Sequence, residues 1–236
     1  TLSLHDALPI YGKALIKSAL EKGEISENRL AESVKKILKT KYLLGLQNLK
    51  SINSENINED LNNASHAELS EKLYSNAITL LKDEKNLLPL SCSETYYYLP
   101  LEEAPFQTFV ENLNLGTTVK LISKNEIAQI PENSTVIVGF HKDNSTAYKS
   151  YKISQESKDI LAELSKKQNV ILDVFGSPYA LKDVDISTIS TVLVSYENND
   201  LSLKASAKAI LGKTKISGKL PVIVNENLKA GSGIEK

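Results

Sequence analysis

The sequence predicts an α/β fold, a mostly parallel sheet flanked by helices, and three observations predict it. Five short runs, 95–100, 117–122, 135–140, 170–175 and 191–196, are rich in β-branched or aromatic residues. They show no polar alternation, which is the pattern of strands covered on both faces. Helical stretches near 105–114, 154–167 and 200–211 fall between several of these runs, as βαβ units require. The chain has 236 residues, 41% of them apolar. That is enough for an ordinary core and, at roughly 150 residues per domain, for about one and a half domains. A last run, Leu220 to Val224, is expected as an edge strand.

Charge and cysteine usage narrow the partners. With 28 basic against 29 acidic side chains the formal charge is −1, so no surface is built for nucleic acid or anionic lipid. The single cysteine, Cys92, excludes an internal disulfide, and no apolar stretch approaches the ~18 residues of a membrane span.

Residues 1–10 show neither cap nor periodicity and contain Pro9, so they are set aside as a non-native tag. From Tyr11 a helix carries Leu15, Ile16, Ala19 and Leu20 on one face and closes at Gly23-Glu24. A second, capped by Ser26, places Leu30, Val34, Ile37, Leu38 and Tyr42 at helical spacing until Gly45. Two such helices need a further layer to cover their stripes. Residues 47–64 are polar and read as a linker. Ser65-His66-Ala67-Glu68 matches a capping box, opening a helix through Leu69, Leu73, Ala77 and Leu80 that is expected to end near Lys82. In the sheet that follows, the useful surface is the crest at the strand C-termini, near His141, Gly176 and Glu197.

Local motifs carry little chemistry by themselves. Gly212-Lys213-Thr214 ends a helix instead of opening one, and Ala207 stands where a phosphate loop needs its first glycine. Ser33-Val34-Lys35-Lys36 has the Ser-x-x-Lys spacing but lies inside an amphipathic helix, without a later Lys-Thr-Gly. Cys92 has no histidine near it in sequence and reads as an idle thiol. His5, His66 and His141 are too scattered for a metal set, so neither metal nor other cofactor is expected. Gly176-Ser177-Pro178-Tyr179 reads as a tight crest turn, and Ser217-Gly218-Lys219-Leu220-Pro221-Val222 as a turn into the last strand.

Taken in order, four motifs resemble glycoside hydrolase family 3. Gly23-Glu24-Ile25-Ser26-Glu27-Asn28-Arg29-Leu30, with Ser33-Val34, Ile37-Leu38 and Leu44-Gly45-Leu46, is similar to the last helix of that family's catalytic barrel. Asn76-Ala77-Ile78-Thr79-Leu80-Leu81-Lys82 with Asn86-Leu87-Leu88-Pro89-Leu90 resembles the entry to its second domain. Gly176 to Tyr179 and Ser217 to Val222 resemble two late signatures of that α/β sandwich. The stretches Tyr98 to Gln107 and Phe140 to Lys152 look like the β-N-acetylglucosaminidase branch of Bacteroidota.

The resemblance implies a division into terminal helices of a truncated TIM barrel (11–46), a linker (47–64), the sandwich (65–228) and the start of a following linker (229–236). A β-lactamase-like serine hydrolase domain often follows in that branch, with Gly231-Ser232-Gly233 standing at its approach. It further implies an extracytoplasmic bacterial location and a retaining exo-glycosidase acting on terminal β-linked N-acetylglucosamine of peptidoglycan or chitin fragments. Nucleophile and acid/base then both lie on the barrel, so no catalytic residue is expected in this chain, and its carbohydrate substrate is met through that barrel. In the β-glucosidase branch the acid/base is a Glu of the second domain, for which Glu197 is the first candidate, with Glu102 or Glu103 behind it. A non-catalytic carbohydrate-binding or scaffolding module is the other alternative. Sugar sites use neutral hydrogen-bonding groups and aromatic faces, which makes His141, Asn144, Tyr148, Tyr179 and Asn198 the substrate-binding candidates.

Overall fold

All five expected strands form. The computed structural model describes residues 4–51, 53–143, 146 and 148–236, and the chain divides into two units between Asn58 and Glu59.

In the first unit, α1 (Leu4–Glu21) and α2 (Glu27–Leu43) are joined by a turn through Gly23 at φ 74. Ser26 caps α2 by accepting from the Arg29 amide at 3.2 Å, and Gly45 stops it at φ 72. Val34, Ile37, Leu38 and Tyr42 stay exposed, as two helices without a third layer must leave them. Helix α1 begins at Leu4 and runs through Pro9, so residues 4–10 continue into the helix expected from Tyr11. Pro9 sits in the second turn, where the missing amide forfeits one bond to the His5 carbonyl and the helix continues beyond it.

The stretch expected as a linker holds, among its described residues, part of a 3-10 turn (Leu46–Asn48) and a short helix, α3 (Ile57–Leu61), within which the boundary between the units falls. The next helix, α4 (Ala64–Ala77), is capped by Asn63, not Ser65. Its side chain accepts from the His66 amide at 3.1 Å. That helix ends five residues earlier than its periodicity suggests, because Ile78 and Leu80 also fit the two-residue period of a strand and both are fully buried there.

The sheet has the order β1-β6-β5-β4-β2-β3. Its strands are β1 (Thr79–Asp83), β2 (Thr95–Leu101), β3 (Thr118–Leu121), β4 (Thr135–His141), β5 (Asn169–Phe175) and β6 (Thr191–Val194). All neighbours are parallel except β1, which runs antiparallel to β6 as the edge. Leu220 to Val224 forms no strand. Leu220 and Val224 are instead buried against one sheet face, and the backbone around them laces onto the edge: the Gly218 amide donates to the Ile78 carbonyl at 3.1 Å and the Ile234 amide to that of Leu80 at 2.7 Å.

Helices α5 (Gln107–Leu113) and α7 (Asp200–Ile210) cover one face of the sheet, and α6 (Gln155–Lys167) covers the other. Val136, Val138, Leu172, Val174, Val192 and Val194 pack beneath Leu161 and Leu164 of α6. On the opposite face Tyr98, Ile137, Ile171, Phe175 and Leu193 meet Phe109, Leu113, Leu203 and Ile210. Each fully buried aliphatic side chain contributes about 1.5–3 kcal/mol.

Candidate functional site at the crest of the sheet

Open α/β sheets bind ligands where the strand order reverses, because neighbouring loops there leave toward opposite faces. Here that point lies between β2 and β4, whose following helices, α5 and α6, sit on opposite faces. The crevice is filled. Lys142, immediately after β4, donates to Glu102 Oε2 at 3.2 Å and to Glu103 Oε2 at 2.9 Å. Side-chain exposure is 7% for Lys142 and 6% for Glu102.

The other Glu102 oxygen accepts from the amide and hydroxyl of Ser154, the cap of α6, at 3.0 and 2.8 Å. Burial pushes the Glu102 carboxyl up, but hydrogen bonds from Ser157, Ser154 and Lys142 outweigh it and hold the group below its ordinary value. Burial likewise pushes Lys142 down, and bonds to Glu103 and Glu102 raise it again. Both carboxylates are thus held against Lys142, Glu102 buried and Glu103 half-exposed. Lys142 was not foreseen; its only sequence signal is a lysine directly following a buried strand.

His141 is the core of a second network and is not exposed to substrate. It is fully buried, stacked on Phe175 with centroids 4.7 Å apart, and hydrogen-bonded at both ring nitrogens. Nδ1 lies 2.6 Å from Asn198 Oδ1. Asn198 Nδ2 donates to the Pro105 carbonyl at 2.7 Å, which fixes its oxygen as the acceptor and puts the imidazole proton on Nδ1. Nε2 then accepts from the Tyr98 hydroxyl. Burial pushes the imidazole down to about 4, so it is neutral at pH 7. Asn198, also expected to contact sugar, has its amide committed to this network.

Beside it, Asp173 is wholly buried at the centre of β5. It accepts from Ser195 Oγ at 2.8 Å and from Ser206 Oγ of α7. Burial pushes its carboxyl up to about 6 against those bonds. Nothing in the sequence pattern singled it out, since an Asp inside a continuous apolar run reads as a break in the strand.

Glu197 is exposed at the end of β6, as expected of a crest residue, but it is held. Its Oε2 accepts from the Tyr74 hydroxyl of α4 at 2.6 Å and from Asn199 Nδ2 at 2.7 Å. The bond to Glu197, followed by burial, raises the Tyr74 phenol. The backbone leading to Glu197 is strained: Tyr196 has φ 65, and the Glu197 amide donates to the Ser195 carbonyl at 2.8 Å. This is the rarer form of the γ-turn, and such a conformation costs about 1–3 kcal/mol. The Tyr196 hydroxyl, 2.7 Å from Thr79 Oγ1, helps to hold it.

Tyr179 is partly exposed and its ring lies 6.2 Å from that of Tyr151. Tyr148 is 99% exposed, and Asn144 lies outside the described residues. Gly176 has no left-handed backbone; a Cβ there would press on Lys142 Cβ at 3.0 Å. No group of metal-binding side chains exists among the described residues, and none of their helices is long and apolar enough to cross a membrane.

The chain is similar to Beta-glucosidase C of Emericella nidulans, at 26% identity over 221 residues, covering 92% of this chain and 34% of the relative. Lysosomal beta glucosidase of Dictyostelium discoideum is 28% identical over 181 residues, covering 71% and 22%. The chain thus spans about a third or less of these relatives. Among solved structures, Beta-glucoside phosphorylase BglX bound to 2FGlc superposes with a TM-score of 0.65 at 21% identity, covering 95% of this chain and 42% of that one. A glycoside hydrolase family 3 beta-N-acetylglucosaminidase from Paenibacillus sp. str. FPU-7 superposes at 0.57, also at 21% identity, covering 88% and 42%. The fold is shared with glycoside hydrolase family 3 enzymes. No family model matches the chain. The superposition on the phosphorylase, at 95% of this chain, includes residues of both units.

Proposed function

We propose that this chain is a C-terminal part of a family 3 glycoside hydrolase whose parent removes terminal β-linked N-acetylglucosamine from peptidoglycan or chitin-type oligosaccharides. By this reading the chain alone does not turn over. The sugar specificity rests on the resemblance of Tyr98 to Gln107 and Phe140 to Lys152 to the β-N-acetylglucosaminidase branch, and the missing catalytic set on the state of the crest carboxylates. A retaining glycosidase needs two carboxyl groups about 5–5.5 Å apart, one of them free to attack. Glu102 and Glu103 are both paired with Lys142 and Asp143 with Lys149, so of these four only Glu197, with one oxygen engaged, is not ion-paired where two active carboxyl groups are needed. The nucleophile is therefore assigned to sequence outside this chain.

The names of the sequence relatives favour a second reading, a β-glucosidase in which Glu197 acts as the acid/base group toward a nucleophile supplied from elsewhere. One experiment separates the two: chromogenic N-acetylglucosaminide and glucoside are offered to this chain and to a longer parent. Turnover of the N-acetylglucosaminide by the parent alone supports the first reading. Glucoside turnover that Glu197→Gln abolishes supports the second. Turnover by the 236-residue chain itself refutes both, since it would require a complete catalytic set within these residues.

A further inference from the structure

Helix α7 leaves the crest at Asp200, so the turn that ends it, Gly212-Lys213-Thr214, lies at the opposite end of the sheet. A cavity of about 410 Å3 opens there, with Leu88, Pro89 and Ala209 on its apolar wall and Lys213 and Thr214 among its polar residues. Glycine lets this wall close: Gly212 has φ 69, and a Cβ on it would lie 2.7 Å from Pro89 Cβ. The C-terminal end of a helix ordinarily presents free carbonyls, which repel anions. Here the last four carbonyls of α7, Ala207 to Ile210, are taken by the amides of Leu211, Lys213, Gly212 and Leu90 at 2.8–3.0 Å. The side-chain charge left over is positive. Lys215 is paired with Glu235 at 2.8 Å and Lys236 with Asp83, while Lys213 has no carboxylate partner among the described residues. Thr214 Oγ1 stands alone as well. Among the described residues it is the buried side-chain polar atom left without a hydrogen bond, a state that costs stability unless something pairs with it.

We propose that this cavity binds a small organic carboxylate with an apolar body. The Lys213 ammonium pairs with the carboxylate, and Thr214, which already lines the cavity, turns about its Cα–Cβ bond to donate its hydroxyl to the same group. The volume falls within the range of small-molecule sites, whose walls are mostly apolar with a few polar groups that fix orientation. An inorganic anion would leave the Leu88, Pro89 and Ala209 wall unused and would lose hydration against it. Binding then repairs a defect that the free protein carries, since the hydroxyl without a partner gains one only with the ligand in place. The site lies at the far end of the sheet from Glu197 and does not depend on the glycosidase reading.

The test is titration of the ¹⁵N-labelled 236-residue chain with sodium benzoate, beside benzyl alcohol as its neutral counterpart and inorganic phosphate as an anion without an apolar body. Saturable amide shifts at Leu88, Ala209 and 212–216 are expected with benzoate and not with the other two. Lys213→Gln and Thr214→Val should each weaken benzoate binding about tenfold, as loss of one hydrogen bond to a charged group does. Thermal unfolding separates binding from packing. Without benzoate, Thr214→Val should melt at or above the parent, because it removes a buried hydroxyl that has no partner; with benzoate, the parent should gain more in Tm than the variant. A lower Tm of ligand-free Thr214→Val would assign the hydroxyl to the fold and overturn its role. Equal shifts with benzyl alcohol would reduce the cavity to an apolar patch, and equal shifts with phosphate would reduce it to surface lysines that attract any anion. Either result, no saturable shift, or unchanged binding in both variants would overturn the proposal.

Discussion

Replacing Asp173 by Asn should expose a pH dependence that the native protein hides. Two buried groups on the same side of the sheet titrate in opposite senses. The Asp173 carboxyl is pushed from 3.8 up to about 6 by burial, so the folded state is penalised when it ionises; stability is gained as pH falls through 6 toward 3.8. The His141 imidazole is pushed from 6.5 down to about 4, so the unfolded chain takes up the proton first and stability is lost as pH falls through 6.5 toward 4. Between pH 7.5 and 4.5 these displacements correspond to about 2 kcal/mol gained and a loss of about 2–3 kcal/mol, nearly cancelling. Tyr98, the other titratable group facing Asp173, is raised by burial and by that carboxylate, and stays neutral throughout. Asn at 173 keeps one acceptor and adds a donor, which the rotatable Ser195 and Ser206 hydroxyls can serve from the same positions. Urea unfolding at pH 7.5, 6.0 and 4.5 should therefore show the variant losing about 2 kcal/mol more than the parent on acidification. Parallel pH profiles, agreeing within about 0.5 kcal/mol, would refute the assignment, because every other titrating group is common to both proteins.

Three further outcomes follow from geometry. Lys142→Met leaves the buried Glu102 carboxylate unpaired and should cost about 3–5 kcal/mol in denaturant unfolding at pH 7; adding Glu102→Gln should recover most of it, and the deficit should shrink as pH falls through the carboxylate range, since the ion pair stabilises only above it. Gly139→Ala places a Cβ 2.6 Å from the Tyr98 hydroxyl and against His141 Nε2, so a loss of about 2 kcal/mol or more is expected, read as a drop in Tm together with an altered imidazole signal. Gly218→Ala sets a Cβ against the carbonyls of Ala77 and Ile78. Hydrogen exchange should then show faster exchange of the Gly218 and Ile234 amides, with the β4 and β5 amides still protected.

Continuous apolar runs such as Val136-Ile137-Val138 and Val170-Ile171-Leu172 can only be covered on both sides, and that requirement determined the parallel sheet, its helical layers and the crest from sequence alone. The cap at Ser26 and the stop at Gly45 were likewise local. Where two periods fit one segment, local information failed: Leu80 continues the spacing of α4, yet Ile78 and Leu80 gain more burial as the edge strand beside β6. The Leu220 to Val224 run went the other way, its apolar residues buried without a ladder because β1 already occupies that edge. The chemistry of the crest depended most on tertiary structure. His141 and Asn198 stand 57 residues apart, Lys142 and Glu102 40 apart, and Tyr74 and Glu197 123 apart. Whether a histidine is a ligand or a stacked core side chain, and whether a glutamate is free or clamped, is set by desolvation and by partners that only the folded sheet brings within hydrogen-bonding distance.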